Sequence, residues 1–193
     1  MLLLVVIVLS VATVGLAGGD LSALGRVRVR YAPAIFGAVA IQVLILGVVP
    51  TGSPMLHRVL HVASYALAAV FVAANWRLAG MRMLAIGGTL NLIAILANNG
   101  VMPASRSALR TAGMLTHTKD FLNSAAVAHP HLLFLGDVLP VPRAVPFANV
   151  YSIGDVCIAI GFALAIHGLT GSRLVRHADV TPRDVATGDA TRP

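Results

Sequence analysis

The chain has 193 residues, 58% of them hydrophobic and only 11% charged, with a mean hydropathy of +0.87. Soluble domains are about 25% charged, so this chain holds more apolar surface than a water-soluble core of its size can hide, and it reads as an integral membrane protein. The formal charge of +7 does not point to nucleic acid, because the arginines fall in short clusters between apolar runs, as in loops facing the cytoplasm or anionic headgroups.

A membrane-spanning helix takes roughly 20 mostly apolar residues. Five such runs stand in the chain, at about 1–17, 32–49, 56–76, 83–97 and 150–169, which predicts an all-α transmembrane domain over residues 1–169. The first, "MLLLVVIVLSVATVGLA", lacks the basic n-region of a cleaved signal peptide and is read as a span. The basic loop "GRVRVR", with Arg26, Arg28 and Arg30, leads into the second. The turn "PTGSP" joins the second to the third. Arg77 and Arg82 separate the third from the fourth, and Arg173 and Arg176 follow the fifth. These three basic links share one side of a five-span chain. The positive-inside rule makes that side the cytoplasm, with the N-terminus outside and the C-terminus inside. Residues 98–149 then form an external segment, in which "ALRTAGML" and "HTKDFLNSAAV" suit short surface helices and the proline-rich "LPVPRAVP" is extended. Residues 170–193 form a polar, disordered cytoplasmic tail. The lone cysteine, Cys157, excludes a disulfide framework or a thiolate metal site.

This topology collects polar residues at the outer face. In "LHRVLHVASY", His57 and His61 lie four apart on one helical face, with Tyr65 a turn further on. That spacing suits two ligands of a metal. More ligands, from His117, His129, His131 or Asp137, would be needed, so an interfacial pair is expected, without metal or cofactor. In the fourth span, Asn91 and Asn98 are seven apart on one face, and their amides need partners in hydrocarbon. Gly87 and Gly88 suit close helix packing, and Gly100 and Pro103 end the helix. In "NVYSIGDVCIAIG", Asp155 sits at the mouth of an apolar run, one turn after Ser152. An ionised carboxylate there requires hydrogen-bond donors, and Asn91 and Asn98 reach the same depth.

Those two stretches resemble the lipoprotein signal peptidase family, intramembrane aspartyl peptidases with a span of the form GG-x-x-GN-L-I-D-R and, after an external segment, one of the form F-N-x-A-D-x-x-I-x-x-G. Gly87, Gly88, Asn91, Leu92 and Ile93 match the first motif with one residue deleted. Asp155, Ile158 and Gly161 match the second, with Gly154 in place of alanine and Ser152 in place of asparagine. The resemblance implies a pair of aspartates near the outer face, one activating water while its partner holds the shared proton. Here the first aspartate is replaced by Ala94 and the arginine after it by Ile95, leaving only Asp120 or Asp137 as substitutes. That family also has four spans. The pattern "NNGVMP … NVYSIGD" further resembles a family of small multispan bacterial membrane proteins without an assigned function, which implies the bacterial cytoplasmic membrane. The expectation is a polar outer site of Asn91, Asn98, Ser152 and Asp155 that binds a lipid, a lipoprotein or another membrane protein. A divergent aspartyl peptidase is the alternative. A small transporter comes last, because the third and fourth spans carry no carboxylate.

Overall fold

A computed structural model describes residues 2–45, 54–114, 124–125, 127–146 and 148–175, and over these residues the protein is mostly helical. The long helices are α1 (Leu2–Leu16), α2 (Ala32–Val43), α3 (Pro54–Ala74) and α4 (Met81–Ala97). A short α5 (Arg106–Thr111) follows, and then α6 (Ile153–Leu169). Each long helix falls within or close to a predicted run. The expected link "PTGSP" and the tail beyond Val175 lie outside the described residues, except for Pro54 at the head of α3.

Helix starts follow local chemistry. Proline tolerates the first turn because its missing N–H has no helical partner there, and Pro33 and Pro54 stand in the first turns of α2 and α3. Gly80, at φ 82°, supplies the left-handed turn that reverses the chain into α4.

Side-chain contacts fix the helix directions. α2 runs antiparallel to α3: Gln42 Nε2 donates to Ser64 Oγ (2.6 Å) toward one end, and at the other the Asn75 side chain accepts from the Arg30 amide (2.9 Å) and donates to the Arg30 carbonyl (2.8 Å). α4 runs antiparallel to α6, with Gly80 against Gly161 and Gly87 against Gly154. α1 lies parallel to α6. Thr13 Oγ1 sits 3.3 Å from His167 Nε2, and the Asp20 amide donates to the Thr170 carbonyl (2.8 Å). Arg26, Arg28, Arg30, Arg77, Arg82 and Arg173 therefore gather at one end, as the alternating links imply. Arg176 lies outside the described residues.

The closest helix contact is α4 on α6. A Cβ at Gly87 would run into the Gly154 carbonyl and the Ile158 backbone, and one at Gly161 would meet the Leu84 amide. Gly88 differs from expectation. Nothing lies within 4 Å of a Cβ there, so of the adjacent pair only Gly87 makes the close approach.

The segment after α4 is not wholly helical, and the all-α expectation is corrected there. β1 (Met102–Pro103) pairs in parallel with β2 (Ser124–Ala125), so the stretch read as a second surface helix contributes a strand at those two residues. β3 (Leu139–Val141) pairs antiparallel with β4 (Asn149–Tyr151). The fifth predicted span thus begins late, because residues 149–151 are held in a ladder and α6 starts only at Ile153. "ALRTAGML" does give α5, whose Ala108 and Leu109 pack with Ala104, Ala112 and Val150. The Asp137 amide donates to the Pro103 carbonyl (2.9 Å) and the Ser105 amide to the Asp137 carbonyl (3.0 Å), stitching the layer to the end of α4.

The two glycines of the GG pair should separate in a stability measurement. Gly87→Val is expected to destabilise by about 3 kcal/mol or more through forced separation of α4 and α6. Gly88→Ala should be neutral or stabilise by up to about 1 kcal/mol. Thermal unfolding of the purified protein in detergent checks both.

Candidate functional site

The polar group at the head of α6 grows from a local helix signal. Ser152 has extended backbone (φ −97°, ψ 167°), and its Oγ accepts from the Asp155 amide (2.9 Å). In return, Asp155 Oδ2 accepts from the Ser152 amide (2.9 Å). This is a capping box with aspartate in the place usually held by glutamate. It satisfies two N–H groups that have no helical partner and puts a carboxylate at the positive end of the helix.

Asn91 on α4 closes the group across the helix interface. Its Nδ2 donates to Asp155 Oδ1 (2.8 Å), and its Oδ1 accepts from Ser152 Oγ (2.8 Å). Four hydrogen bonds therefore link Asn91, Ser152 and Asp155 in a ring, with Ser152 and Asn91 buried. The close approach at Gly154 makes room for it, because a Cβ there would strike the Asn91 amide. Both carboxylate oxygens are engaged by N–H donors, as in a carboxylate that holds a helix end.

Asn98 does not join this ring. Its Nδ2 donates to the Ala94 carbonyl (2.8 Å) and to the His131 carbonyl (2.7 Å), and its Oδ1 accepts from the His131 amide (2.8 Å). It sits just past the end of α4, a turn and more beyond Asn91, and fastens the loop layer to the helix. The expected four-residue site thus separates into a three-residue ring and a loop clamp.

Tyr65 of α3 stands beside the ring, with the Asn91 side chain in hydrogen-bonding reach and both Asp155 and Asp137 in electrostatic reach. Asp137 is 3% exposed. Ala94, at the position of the missing aspartate, is fully buried and packs with Ile95 and Met102 against Tyr65 and Leu135. The site therefore has one carboxylate in the helix interface and a second in the loop layer, both within electrostatic reach of a tyrosine. Asp120 and His117 lie outside the described residues.

His57 and His61 share a face, as their spacing predicts, and both are buried. The His61 ring lies 5.5 Å from that of Tyr65, centroid to centroid, tilted by 37°. Among the described residues neither His61 ring nitrogen has a hydrogen-bond partner. No group of three side chains able to hold a metal ion occurs among the described residues either.

The profile of a family of unknown function, DUF5317, matches residues 26–167. The chain belongs to this family. The match runs from Arg26 to His167 and so takes in the whole ring, Asn98, Tyr65, His57 and His61. No curated protein and no solved structure matches the chain.

Three features of this DUF5317 protein escaped the sequence reading. Asn75 makes the same two-bond clamp to Arg30 that Asn98 makes to His131, and its only sequence signal is an amide just after an apolar helix. Asp137 is buried by loop pairing that no periodicity announces. Arg58 lies in α3 at the loop-layer end, its stem packed on Gly100, so the arginine asymmetry between the two ends is incomplete.

Removing the carboxylate should cost more than neutralising it. Asp155→Ala leaves the Ser152 and Asn91 N–H groups without acceptors and is expected to destabilise by about 2–3 kcal/mol. Asp155→Asn retains an acceptor oxygen and should cost about half as much. Chemical unfolding in mixed micelles measures the difference.

Proposed function

We propose that this DUF5317 protein is a five-span membrane protein whose arginine-rich end faces the cytoplasm, and that it binds a membrane component near its outer face without cleaving it. The observation that carries the membrane reading is exposure. Met55–Ala74 is long and apolar enough to cross a bilayer, yet only 17% of its most apolar window is buried. A soluble core helix of such composition would hide it. Large apolar side chains are exposed on the other long helices too, among them Leu9, Phe36, Ile93 and Ile160. A continuous apolar surface of this kind suits lipid rather than water. The shorter apolar helices of 10–17 residues fit the same slab when extended by flanking residues.

Binding is favoured over hydrolysis because Asp155 is spent on its cap and on Asn91, and because Ala94 removes the partner that the peptidase motif requires. Buried His61, with two ring nitrogens lacking protein partners among the described residues, supports a polar group of a lipid, lipoprotein or neighbouring membrane protein as the occupant. One feature favours the aspartyl peptidase reading: Asp155 and Asp137 both lie within electrostatic reach of Tyr65.

Two experiments test these readings. A reporter fused after Arg82 should be cytoplasmic and one near Asn123 external, and reversed labelling would overturn the orientation. In a cleavage assay on a model prolipoprotein, neither wild type nor Asp155→Asn should show turnover. Wild-type turnover that disappears in Asp155→Asn would restore the enzyme, since an asparagine cannot cycle a proton.

A further inference from the structure

The arginine-rich end carries more positive charge than the described protein neutralises. At this end Arg26 is paired with Asp20 (2.8 Å). The Asp20 carboxylate is fully engaged. The Ser22 hydroxyl and amide hold it below the usual carboxylate range, and Arg26 adds to the effect. Arg28, Arg30, Arg77, Arg82 and Arg173 are exposed, and no other acidic residue lies in the described links of this end.

Two of these arginines are placed with particular care. The buried Asn75 side chain grips the Arg30 backbone through two hydrogen bonds and also donates to the Phe71 carbonyl (2.8 Å). Arg30 at the start of α2 is thereby locked to the end of α3, and Arg77 follows Asn75 by two residues. Tyr31 and Trp76, the residues that flank this clamp, are exposed. The seam therefore sets two exposed arginines and two exposed amphipathic rings within a few residues of one backbone clamp. Guanidinium forks match phosphate oxygens, and tyrosine and tryptophan favour headgroup depth.

We infer that the α2–α3 seam at this end binds the phosphate of an anionic phospholipid, with Arg30 and Arg77 contacting the headgroup and Tyr31 and Trp76 beside it. The inference rests on the membrane reading above. Asn75 acts as a positioning residue, because it sets the Arg30 backbone and leaves its guanidinium free.

Native mass spectrometry of the full chain in detergent tests it, with phosphatidylglycerol and phosphatidylcholine of identical acyl chains as probes. Wild type should retain phosphatidylglycerol about thirtyfold better, the order expected for two arginines at an anionic headgroup. Arg30→Gln with Arg77→Gln should bring the preference near unity. The pair Arg106→Gln with Arg110→Gln, in the loop layer, should leave it intact. Asn75→Ala should weaken the preference with no change of charge, and unfolding curves establish that each variant is folded. Equal retention of the two lipids by wild type, equal loss in both double variants, or displacement by inorganic phosphate at constant ionic strength would overturn the seam as a lipid site. Extraction of the protein from membranes by alkaline carbonate would instead sink the membrane reading, and it is scored independently of lipid preference.

Discussion

The contact on which the rest of the structure depends is the approach of α4 to α6 at Gly87 and Gly154. With side chains at those positions the two backbones could not come together. With hydrogens there, Asn91 reaches across to Ser152 and Asp155 and closes a ring of four hydrogen bonds. Packing and polarity support each other in this arrangement. The small residues create the distance at which the amide can serve the cap, and the cap satisfies groups that would be costly to bury alone. The capping box also decides where α6 begins, and so where β4 must end.

Away from this pair, the helices are joined by a repeated device. An asparagine just beyond a helix end turns its amide back on the carbonyl four residues earlier and pairs with both backbone groups of a distant residue. Asn75 does so with Arg30 at one end of the protein, and Asn98 with His131 at the other. The geometry imitates one rung of a sheet. It gives an irregular link the backbone partners it lacks, and it leaves the side chains of the clamped residues, Arg30 and His131, exposed. At α1 a histidine plays the comparable part. His167 lies 2.9 Å from Ser172 Oγ and also within reach of Thr13. The Thr13 hydroxyl donates to the Leu9 carbonyl (2.7 Å), and the His167 ring bridges Thr13 to Ser172.

Much of the fold was legible because apolar run length and arginine position are one-dimensional signals. They located the long helices and put six arginines at one end. The link of Asp155 to Asn91 was legible too, since a carboxylate at the mouth of an apolar run needs donors and only a few amides lie at its depth; the Ser152 cap was not read. Asn98 was misassigned because shared helical face was taken for shared surroundings. One and a half to two helical turns separate it from Asn91 along α4, enough to carry it out of the helix interface and into the loop layer. The strands were invisible for another reason. Two- and three-residue ladders hold no periodicity, and their pairing is dictated by tertiary contacts such as the bridge between Ala104 and Asp137. Tyr65 and Asp137 became neighbours only through that folding.

The loop layer is anchored where the helices end. It is fastened by Asn98 to His131, by Ala104 to Asp137, and by a hairpin whose second strand runs through Ser152 directly into α6. No spare residue lies between Tyr151 and the cap to act as a hinge. Lifting this layer would unpair β3 or draw Ser152 out of its ring. Anything reaching the ring through this layer would have to break those attachments. The loop layer and the head of α6 therefore hold together as one unit.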